Sequence, residues 1–276
     1  MTLPADKIKQ RFTDLAKSTG EPYDRLQTLF FLERAALRLT ADSSLAKHLI
    51  FKGGFVSVRI YHSPRFTKDL DATLIGLSVE VAKRKIVEAM QVNVNDTVWF
   101  EFEGIEDTAH QSEYGGTRFV FRAGFGLPPT GKVKAQIVHI DIGTGDPVTP
   151  RARLVNTLSQ IDDQTLSWQV YPPESIMAEK LHTLATLGSL NSRSKDIYDI
   201  RLLCDKVAPE ILKQALKATF AYRKDELPHS FAEEFADIDR FILRRGWKTA
   251  VGYLKSSPDF DETLDAVAQW LKKHEL

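Results

Sequence analysis

The sequence predicts an α+β protein in which a small mixed sheet is flanked by helices and followed by a helical C-terminal lobe. Three observations support this class. Apolar residues recur at helical spacing in roughly the first 50 residues, alternate with a period of two from about 48 to 171, and return to helical spacing from Glu174 onward. Such separation of strands from helices is typical of α+β folds. We therefore expect two domains, residues 1–170 and residues 171–276.

Two helices are predicted at the start of the chain. Ile8, Phe12 and Leu15 lie at helical spacing and predict the first helix, which Gly20 ends. Residues 26–37 carry a broad apolar face with the same period, which predicts a second and longer helix.

Short segments in the middle of the chain alternate apolar and polar residues, as strands do. The predicted strands are 49–51, 69–74, 98–103, 118–122 and 133–142. Helical patterns fall between some of these strands and again throughout the second half of the chain. The predicted helices are 55–61, 79–91, a helix that begins after Pro173, 196–204, 209–222, 231–244, 247–254 and 260–274, with a polar link at 188–194.

Composition limits the classes of function. The 276 residues include 37 Lys and Arg and 37 Asp and Glu, so the formal net charge is zero. A disordered chain is excluded, and attraction of the whole molecule to nucleic acid or to an anionic membrane is not expected, although a local basic face is allowed. Cys204 is the single cysteine, which indicates a reducing compartment. Without an apolar N-terminal segment or an apolar run of about 18 residues, we expect a soluble, cytoplasmic protein with no membrane partner.

The first candidate for chemistry is a glycine pair followed by two aspartates. Lys52, Gly53 and Gly54 form the turn between a predicted strand and a short predicted helix. Glycines let a phosphate approach the backbone, and the start of a helix offers N–H groups. Asp69 and Asp71 begin the next strand and share one face, where two carboxylates favour Mg²⁺. Taken separately, the glycines are typical of a turn and the aspartates of a polar strand edge; together they indicate a nucleotide site.

Asp141 is the best candidate for a third carboxylate. It lies near the end of the predicted strand 133–142, on the same face as His139. A carboxylate there would bind the metal or accept a proton from an attacking hydroxyl. Alternatively, Asp141 caps the turn before Gly143. His139 is expected to be a polar neighbour, because the seven histidines show no zinc-type spacing.

Charged residues in the apolar helix after Pro173 need a partner or a task. Lys180 lies in this helix, and Asp196 and Asp199 lie on one side of the next. In one interpretation, Lys180 pairs with an aspartate and clamps the two helices together. In the other, Lys180 contacts nucleotide phosphates while an aspartate fixes its position.

At these residues the sequence resembles the AbiEii/AbiGii toxin family of nucleotidyltransferases, within the DNA polymerase β-like superfamily. The matching segments are 26–39, FKGG at 51–54, SPRFTKDLD at 63–71, YPPESIMAEKL at 171–181 and KDIYDI at 195–200. The resemblance covers about residues 20–205.

The resemblance implies a nucleotidyltransferase sheet with a helical C-terminal lobe. It also implies Mg²⁺-dependent transfer of a nucleoside monophosphate from an NTP, with release of pyrophosphate. Family members are toxins of bacterial toxin–antitoxin and phage abortive-infection systems, and some modify tRNA. An RNA acceptor and an antitoxin encoded next to this protein are therefore implied. The implied residue roles are triphosphate binding by Gly53 and Gly54, metal binding by Asp69 and Asp71, nucleotide contact by Lys180, and support of Lys180 by Asp196 or Asp199.

Two positions depart from the family pattern. The family often has a small hydroxyl residue at or just after the second glycine, where this chain has Gly54 and Phe55. Phosphate contact is then expected from backbone N–H groups or from Ser57. The residue before Asp196 is usually Arg, whereas here Lys195 keeps the charge and loses the planar fork.

The acceptor is the least determined part of this prediction. Arg65 and Lys68 are the predicted acceptor-binding residues, and Lys195 is the next candidate; alternatively, they pair with the catalytic aspartates in the empty enzyme. An RNA acceptor requires positive charge concentrated locally, because the net charge is zero. Two alternatives stay open: transfer to a protein or small-molecule hydroxyl, and a non-catalytic nucleotide-binding module. The presence of both Asp69 and Asp71 disfavours the module.

Overall fold

The structure, a computed structural model, describes residues 3–107, 116–128, 131, 135–187, 193–236, 238–252, 254 and 256–276. The helices are α1 (Ala5–Thr19), α2 (Tyr23–Ala41), α3 (Leu45–His48), α4 (Gly53–Arg59), α5 (Val79–Met90), α6 (Pro173–Leu187), α7 (Ser194–Leu203), α8 (Pro209–Arg223), α9 (Phe231–Ala236), α10 (Arg240–Val251) and α11 (Phe260–Lys273). The strands are β1 (Leu49–Lys52), β2 (Asp69–Leu74), β3 (Val98–Asp107), β4 (Thr117–Phe125), β5 (Gln136–Thr144), β6 (Arg153–Leu158) and β7 (Thr165–Val170). Within these ranges, no helix is long and apolar enough to cross a membrane.

The strands form one mixed sheet in the order β3-β4-β5-β2-β1-β7-β6. Strand β2 runs parallel to β5, β1 runs parallel to β7, and the other neighbours are antiparallel. The predicted α+β class with a mixed sheet is confirmed. The sheet is larger than predicted, because β6 and β7 were not among the predicted strands.

The chain divides into two compact units. The first unit comprises Met1–Val56, Phe66–Gly145 and Arg153–Val170, and it contains the whole sheet. The second comprises Ser57–Arg65, Asp146–Ala152 and Tyr171–Leu276, and it contains α6 to α11. The assignment of residues 1–170 and 171–276 to two domains stays a prediction.

An aromatic cluster joins the N-terminal helices to the sheet of the first unit. Phe12 of α1 is completely buried and its ring lies 5.4 Å from that of Phe30 in α2. Phe31, one residue further along α2, lies 4.9 Å from Phe125 at the end of β4. Edge-to-face and tilted aromatic pairs of this kind combine a large buried area with a preferred geometry. The apolar faces predicted for both helices therefore meet at one end of the sheet.

Two arginines in α2 are buried, which the apolar pattern did not predict. Arg38 is 1% exposed and donates from Nη1 and Nη2 to the two carboxylate oxygens of Asp96, at 2.6 and 2.8 Å. Its Nη2 also donates to the Val98 carbonyl at 2.7 Å. Arg34 is fully buried and donates to Asp162 at 3.0 Å and to Gln164 at 2.7 Å. Salt bridges and hydrogen bonds therefore tie α2 to the start of β3 and to the β6–β7 connection.

The helix boundaries near residue 240 correct the prediction of helices at 231–244 and 247–254. Asp239 caps the start of α10, because its side chain accepts hydrogen bonds from the backbone N–H groups of Phe241 and Ile242. Helix α10 then continues through Gly246, where the prediction placed a break. Trp247 is buried, and its ring lies 5.4 Å from Phe260 of α11, so packing outweighs the weak helix propensity of glycine.

Cys204 is buried directly after α7. Burial raises the pKa of this thiol to about 12. The reactive thiolate is therefore scarce at neutral pH, and the residue acts as a small apolar side chain.

Replacing Arg38 by Met tests the buried pair. We expect Arg38→Met to lower the free energy of unfolding by about 3–5 kcal/mol, because it leaves the Asp96 carboxylate buried and unpaired. Urea denaturation followed by circular dichroism measures the change. Arg84→Met is the control, since Arg84 is 70% exposed and its distance to Glu88 is 3.8 Å. A loss for Arg38→Met no larger than that for the control would contradict the structural role of the pair.

Candidate active site

A row of charged residues crosses four strands of the first unit. The strand register places Lys52 of β1 opposite Asp71 of β2, Asp71 opposite Asp141 of β5, and Asp141 opposite Arg118 of β4. Residues paired directly across neighbouring strands point to the same face of a sheet. The row therefore presents two carboxylates between two cations on one face.

A second row lies two residues away on the same face. Asp69 is opposite His139, and Asp69 Oδ1 lies 3.1 Å from His139 Nδ1. Along β2, the half-buried Asp69 and Asp71 alternate with the buried Leu70 and Ala72. The two aspartates share one face, as the alternation in the sequence predicted. His139 is a polar neighbour of Asp69, which also agrees with its sequence interpretation.

Arg118 forms a two-pronged ion pair with Asp141. Its Nε donates to Asp141 Oδ1 at 2.8 Å and its Nη2 donates to Oδ2 at 2.7 Å. This hydrogen bonding raises the pKa of the Arg118 guanidinium. Arg118 was not among the predicted site residues, although it occupies a polar position in the alternating segment 118–122. Its significance depends on the pairing of β4 with β5, which the sequence did not specify.

Gly53 lets the turn after β1 approach the carboxylate of Asp71. Its φ angle is +70°, and a Cβ atom added there would lie 2.1 Å from Asp71 Oδ2. At Gly54, an added Cβ would lie 2.6 Å from Thr67 Oγ1. Glycine is required at Gly53 both for the left-handed backbone and for the close approach. The glycine pair predicted to bind phosphate is therefore next to an aspartate predicted to bind metal.

The predicted nucleotide-contacting lysine is part of a charge cluster in the second unit. Lys180 Nζ lies 2.6 Å from Asp196 Oδ1 and 2.7 Å from Asp199 Oδ2. Arg193 Nε lies 2.7 Å from Asp196 Oδ2, and Arg65 Nε lies 2.7 Å from Asp199 Oδ1. Both aspartates are buried, at 0% and 3% exposure. The interpretation in which Lys180 pairs with the aspartates and links α6 to α7 describes these contacts, while nucleotide contact stays a prediction.

Mutual attraction stabilises the charged forms in this cluster. Burial alone would lower the pKa of Lys180, but Asp196 and Asp199 outweigh burial and raise it. Burial alone would raise the pKa of Asp196, but Lys180 and Arg193 outweigh burial and lower it to about 2. Both groups are therefore charged at neutral pH.

The other predicted residues lie in different settings. Ser57 of α4 is 6% exposed, so its hydroxyl is inside the fold. Lys68 is exposed, and its Nζ lies 6.0 Å from the centre of the Phe66 ring. Lys195 is an exposed residue of α7, next to the buried Asp196. Of the predicted acceptor-binding residues, Lys68 and Lys195 thus have exposed side chains, whereas Arg65 is mostly buried.

The donor chemistry of Asp69 and Asp71 fits Mg²⁺. Their oxygens are hard ligands, and Mg²⁺ commonly takes one or two protein carboxylates together with waters and substrate phosphates. Among the residues that the structure describes, no group of three or more His, Cys, Asp or Glu side chains could hold a metal ion.

Solved structures share this fold. MenT4, a nucleotidyltransferase toxin from Mycobacterium tuberculosis, matches with a TM-score of 0.57 at 13% identity, over 95% of this chain and 98% of MenT4. JHP933 from Helicobacter pylori matches with a TM-score of 0.51 at 15% identity, over 91% of each chain. At these identities the similarity establishes the nucleotidyltransferase fold.

The sequence establishes the family. Residues 35–266 match the family described as the nucleotidyl transferase AbiEii toxin of type IV toxin–antitoxin systems. The chain therefore belongs to the AbiEii family of nucleotidyltransferase toxins and is a nucleotidyltransferase, which confirms the resemblance found in the sequence. None of the curated proteins compared with the sequence matches it.

Replacing Gly53 by Ala tests the approach of the turn to Asp71. A Cβ at this position would displace the Asp71 carboxylate and strain the left-handed backbone, so we expect Gly53→Ala to lower the unfolding free energy by about 1–3 kcal/mol and to weaken Mn²⁺ binding. Denaturation and Mn²⁺ titration by electron paramagnetic resonance measure the two effects. Gly104→Ala is the control, because an added Cβ there has no atom within 4 Å. Unchanged Mn²⁺ affinity in Gly53→Ala would separate Gly53 from the metal site.

Proposed function

We propose that this protein transfers a nucleoside monophosphate from an NTP to an RNA acceptor with the help of Mg²⁺. In this proposal it acts as the toxin of a toxin–antitoxin pair with a role in phage defence, and an antitoxin encoded beside it neutralises it. Membership of the AbiEii family supports the enzyme class, the toxin role and the antitoxin partner. The use of Mg²⁺, the RNA acceptor and the roles of individual residues go beyond family membership and are proposed from the arrangement of the site.

The observation that carries the proposal is the placement of Asp69 and Asp71 on one face of β2, beside the glycine turn. Asp69 and Asp71 would hold Mg²⁺, which when bound offsets the charge of the triphosphate and orients it for attack. Gly53 supports this role because its missing side chain lets the glycine turn lie directly against the Asp71 carboxylate.

The phosphate-binding part of the proposal rests on the segment that ends β1 and begins α4. Gly53 and Gly54 allow close approach to the backbone, and the resemblance assigns them to the triphosphate. Lys52 stands opposite Asp71 in the register and would add a positive charge beside the phosphates. Because Ser57 is buried, backbone N–H groups are favoured over its hydroxyl as phosphate donors.

The reaction breaks one bond to phosphorus and forms another. The oxygen of an acceptor hydroxyl attacks the α-phosphorus of the NTP, and the bond from that phosphorus to the bridging oxygen breaks. Pyrophosphate leaves with that oxygen, and the hydroxyl proton passes to water. Positioning and charge stabilisation supply most of the catalysis in such transfers, so residues that fix the phosphates and the acceptor are expected to control the rate.

Lys180 would contribute to nucleotide binding, as the family resemblance implies. Asp196 and Asp199 hold its ammonium group in one position and keep it charged. A cation fixed in this way loses little freedom when it meets a phosphate. In this proposal the two aspartates are positioning residues for Lys180.

Exposed cations would bind the acceptor. Lys68 and Lys195 are exposed, and phosphate contacts supply much of the affinity for RNA. Arg65 pairs with the buried Asp199, so reversing its charge would disturb the fold as well as any RNA contact. Lys68 is therefore the better position at which to test acceptor binding.

Replacing Asp71 by Asn tests the metal assignment. We expect Asp71→Asn to lower transfer by about 100-fold or more, since a metal ion supplies several kcal/mol of charge stabilisation, and to relieve growth inhibition while the fold survives. Incorporation of labelled NTP, circular dichroism and growth curves measure the three effects. Glu80→Gln is the control, because Glu80 lies on α5 and its side chain is 85% exposed. Full transfer by folded Asp71→Asn protein would refute the role of Asp71.

Replacing Lys180 by Met separates the two interpretations of this lysine. If Lys180 contacts nucleotide, affinity for NTP should fall by about 10-fold or more, the usual effect of losing a charge-assisted contact. If it only links α6 to α7, the melting temperature should fall and the affinity of the folded protein should stay unchanged. Lys213→Met is the control in the same unit, since Lys213 pairs with the exposed Glu210. Nucleotide titration and thermal melting of the three proteins decide between the interpretations.

The acceptor class can be identified directly. Each labelled NTP is incubated in turn with total cellular RNA, with protein and with a small-molecule extract, and Asp71→Asn protein serves as the control. We expect label in RNA only, and we expect Lys68→Glu to weaken RNA binding and flatten its salt dependence while sparing NTP binding. Label found only in protein or small molecules would refute the RNA acceptor and leave the enzyme class intact.

A further inference from the structure

We infer that Arg118 takes the place of a second metal ion at this site, so that the protein itself binds one divalent cation, at Asp69 and Asp71. Asp141 then serves as the anchor of Arg118 and is neither a metal ligand nor the catalytic base. Arg118 is a positioning residue in this account. The inference rests on the proposed function, because it assumes that Asp69 and Asp71 hold the metal.

The strand order places Arg118 where it competes for Asp141. Strand β5 lies between β4 and β2, so Asp141 has Arg118 on one side and Asp71 on the other. A carboxylate shared between two metal ions would need its oxygens directed toward both of them. Here, both oxygens of Asp141 accept hydrogen bonds from the Arg118 fork, at 2.8 and 2.7 Å. A planar guanidinium matches a carboxylate in this two-pronged way, which fixes its orientation.

The charges on the face that carries Asp69, Asp71 and Asp141 also favour a single divalent cation. Asp69, Asp71 and Asp141 bring three negative charges to adjacent positions of two parallel strands. A guanidinium does not lose its proton in proteins, so Arg118 offsets one of these charges at every accessible pH. Two carboxylates, Asp69 and Asp71, then remain to hold a divalent cation. Lys52, at the far end of the same row, adds a further positive charge that opposes a second metal ion.

The pairing also disqualifies Asp141 as a base. A general base must offer a lone pair to the proton of the attacking hydroxyl, at hydrogen-bond distance. Both carboxylate oxygens of Asp141 already accept hydrogen bonds from the Arg118 fork, at 2.8 and 2.7 Å. The Arg118–Asp141 pair is 21% and 25% exposed, so it lies at the reacting face and is not a buried structural pair. Its role is to hold one fixed positive charge beside the metal-binding aspartates.

The test counts the metal ions that the full-length protein binds without nucleotide. Electron paramagnetic resonance follows a titration with Mn²⁺ alone, so that no ion is carried in by a triphosphate. We expect one site in the wild-type protein, and either a second site or about 10-fold tighter binding in Arg118→Gln, where one positive charge near the metal is lost. The double variant Arg118→Gln/Asp141→Asn removes both charges of the pair and leaves no unpaired partner. We expect it to bind one Mn²⁺ with an affinity within about twofold of wild type.

Arg122→Gln is the matched control. Arg122 lies on the same strand and the same face as Arg118, and its Nη1 donates to Glu101 at 2.8 Å. Its loss should leave both the number of sites and the affinity unchanged. Thermal melting of each variant confirms that a folded protein is being compared.

The outcomes separate this inference from the proposed function. Two Mn²⁺ sites in the wild-type protein, an unchanged titration in Arg118→Gln, or a tenfold weaker affinity in the charge-neutral double variant would each overturn the role of Arg118 while leaving Asp69 and Asp71 as metal ligands. Absence of Mn²⁺ binding in the wild-type protein, or binding that survives in Asp71→Asn, would overturn the metal assignment itself. One site in the wild-type and double-variant proteins, with gained binding in Arg118→Gln alone, supports the inference.

Discussion

The parallel pairing of β2 with β5 is the constraint on which the site depends. This register sets Asp71 beside Asp141 and Asp69 beside His139. Because side chains alternate along a strand, a slip of one residue would turn these groups to the opposite face and send apolar residues to the polar one. The buried Leu70 between the two aspartates, with its partner Ile140 on β5, opposes such a slip. The apolar side of the sheet therefore fixes the geometry of its charged side.

Arginine–aspartate pairs of the first unit differ in burial, and burial decides whether a pair stabilises the fold or stays accessible to solvent. Arg38 and Asp96 are at most 1% exposed, so their pairing offsets the cost of desolvation and fixes α2 against β3. Arg118 and Asp141 are partly exposed on the face that also carries Asp69. A pair that stays in contact with solvent is available to ions and phosphates, whereas the inner pair is not. The same chemistry therefore holds α2 against β3 in the buried pair, and it leaves the second pair accessible to solvent.

Sequence periodicity predicted several elements whose two faces differ in polarity, although it missed β7, in which the buried Leu166, Trp168 and Val170 alternate with more exposed residues. Strand β5 is an example, with Val138 and Ile140 inside and His139 between them. The missed β6 has no fully buried residue, so its composition carries no alternation between core and solvent. The helix break predicted near Gly246 was wrong, because helix propensity is a local property and does not include the tertiary packing of Trp247. Arg38 and its partner Asp96 were missed for a related reason, since residues 58 apart in sequence are joined only by the fold.

The candidate site shows the same division between local and long-range information. The spacing of Asp69 and Asp71 already gave their common face, and the charges in an apolar helix already gave Lys180 a choice between two roles. Arg118 could not be assigned, because its pairing with Asp141 depends on a neighbouring strand.

Local pairing of opposite charges explains how a chain of zero net charge presents strongly charged sites. Cations and carboxylates are placed opposite one another, as in the Lys180 cluster, so charge is compensated locally and sums to zero. Salt screens charges beyond about one Debye length, roughly 8–10 Å, so the compensated charges of this chain attract a polyanion only weakly at long range. Recognition of an RNA acceptor would therefore depend on short-range contacts with exposed cations such as Lys68.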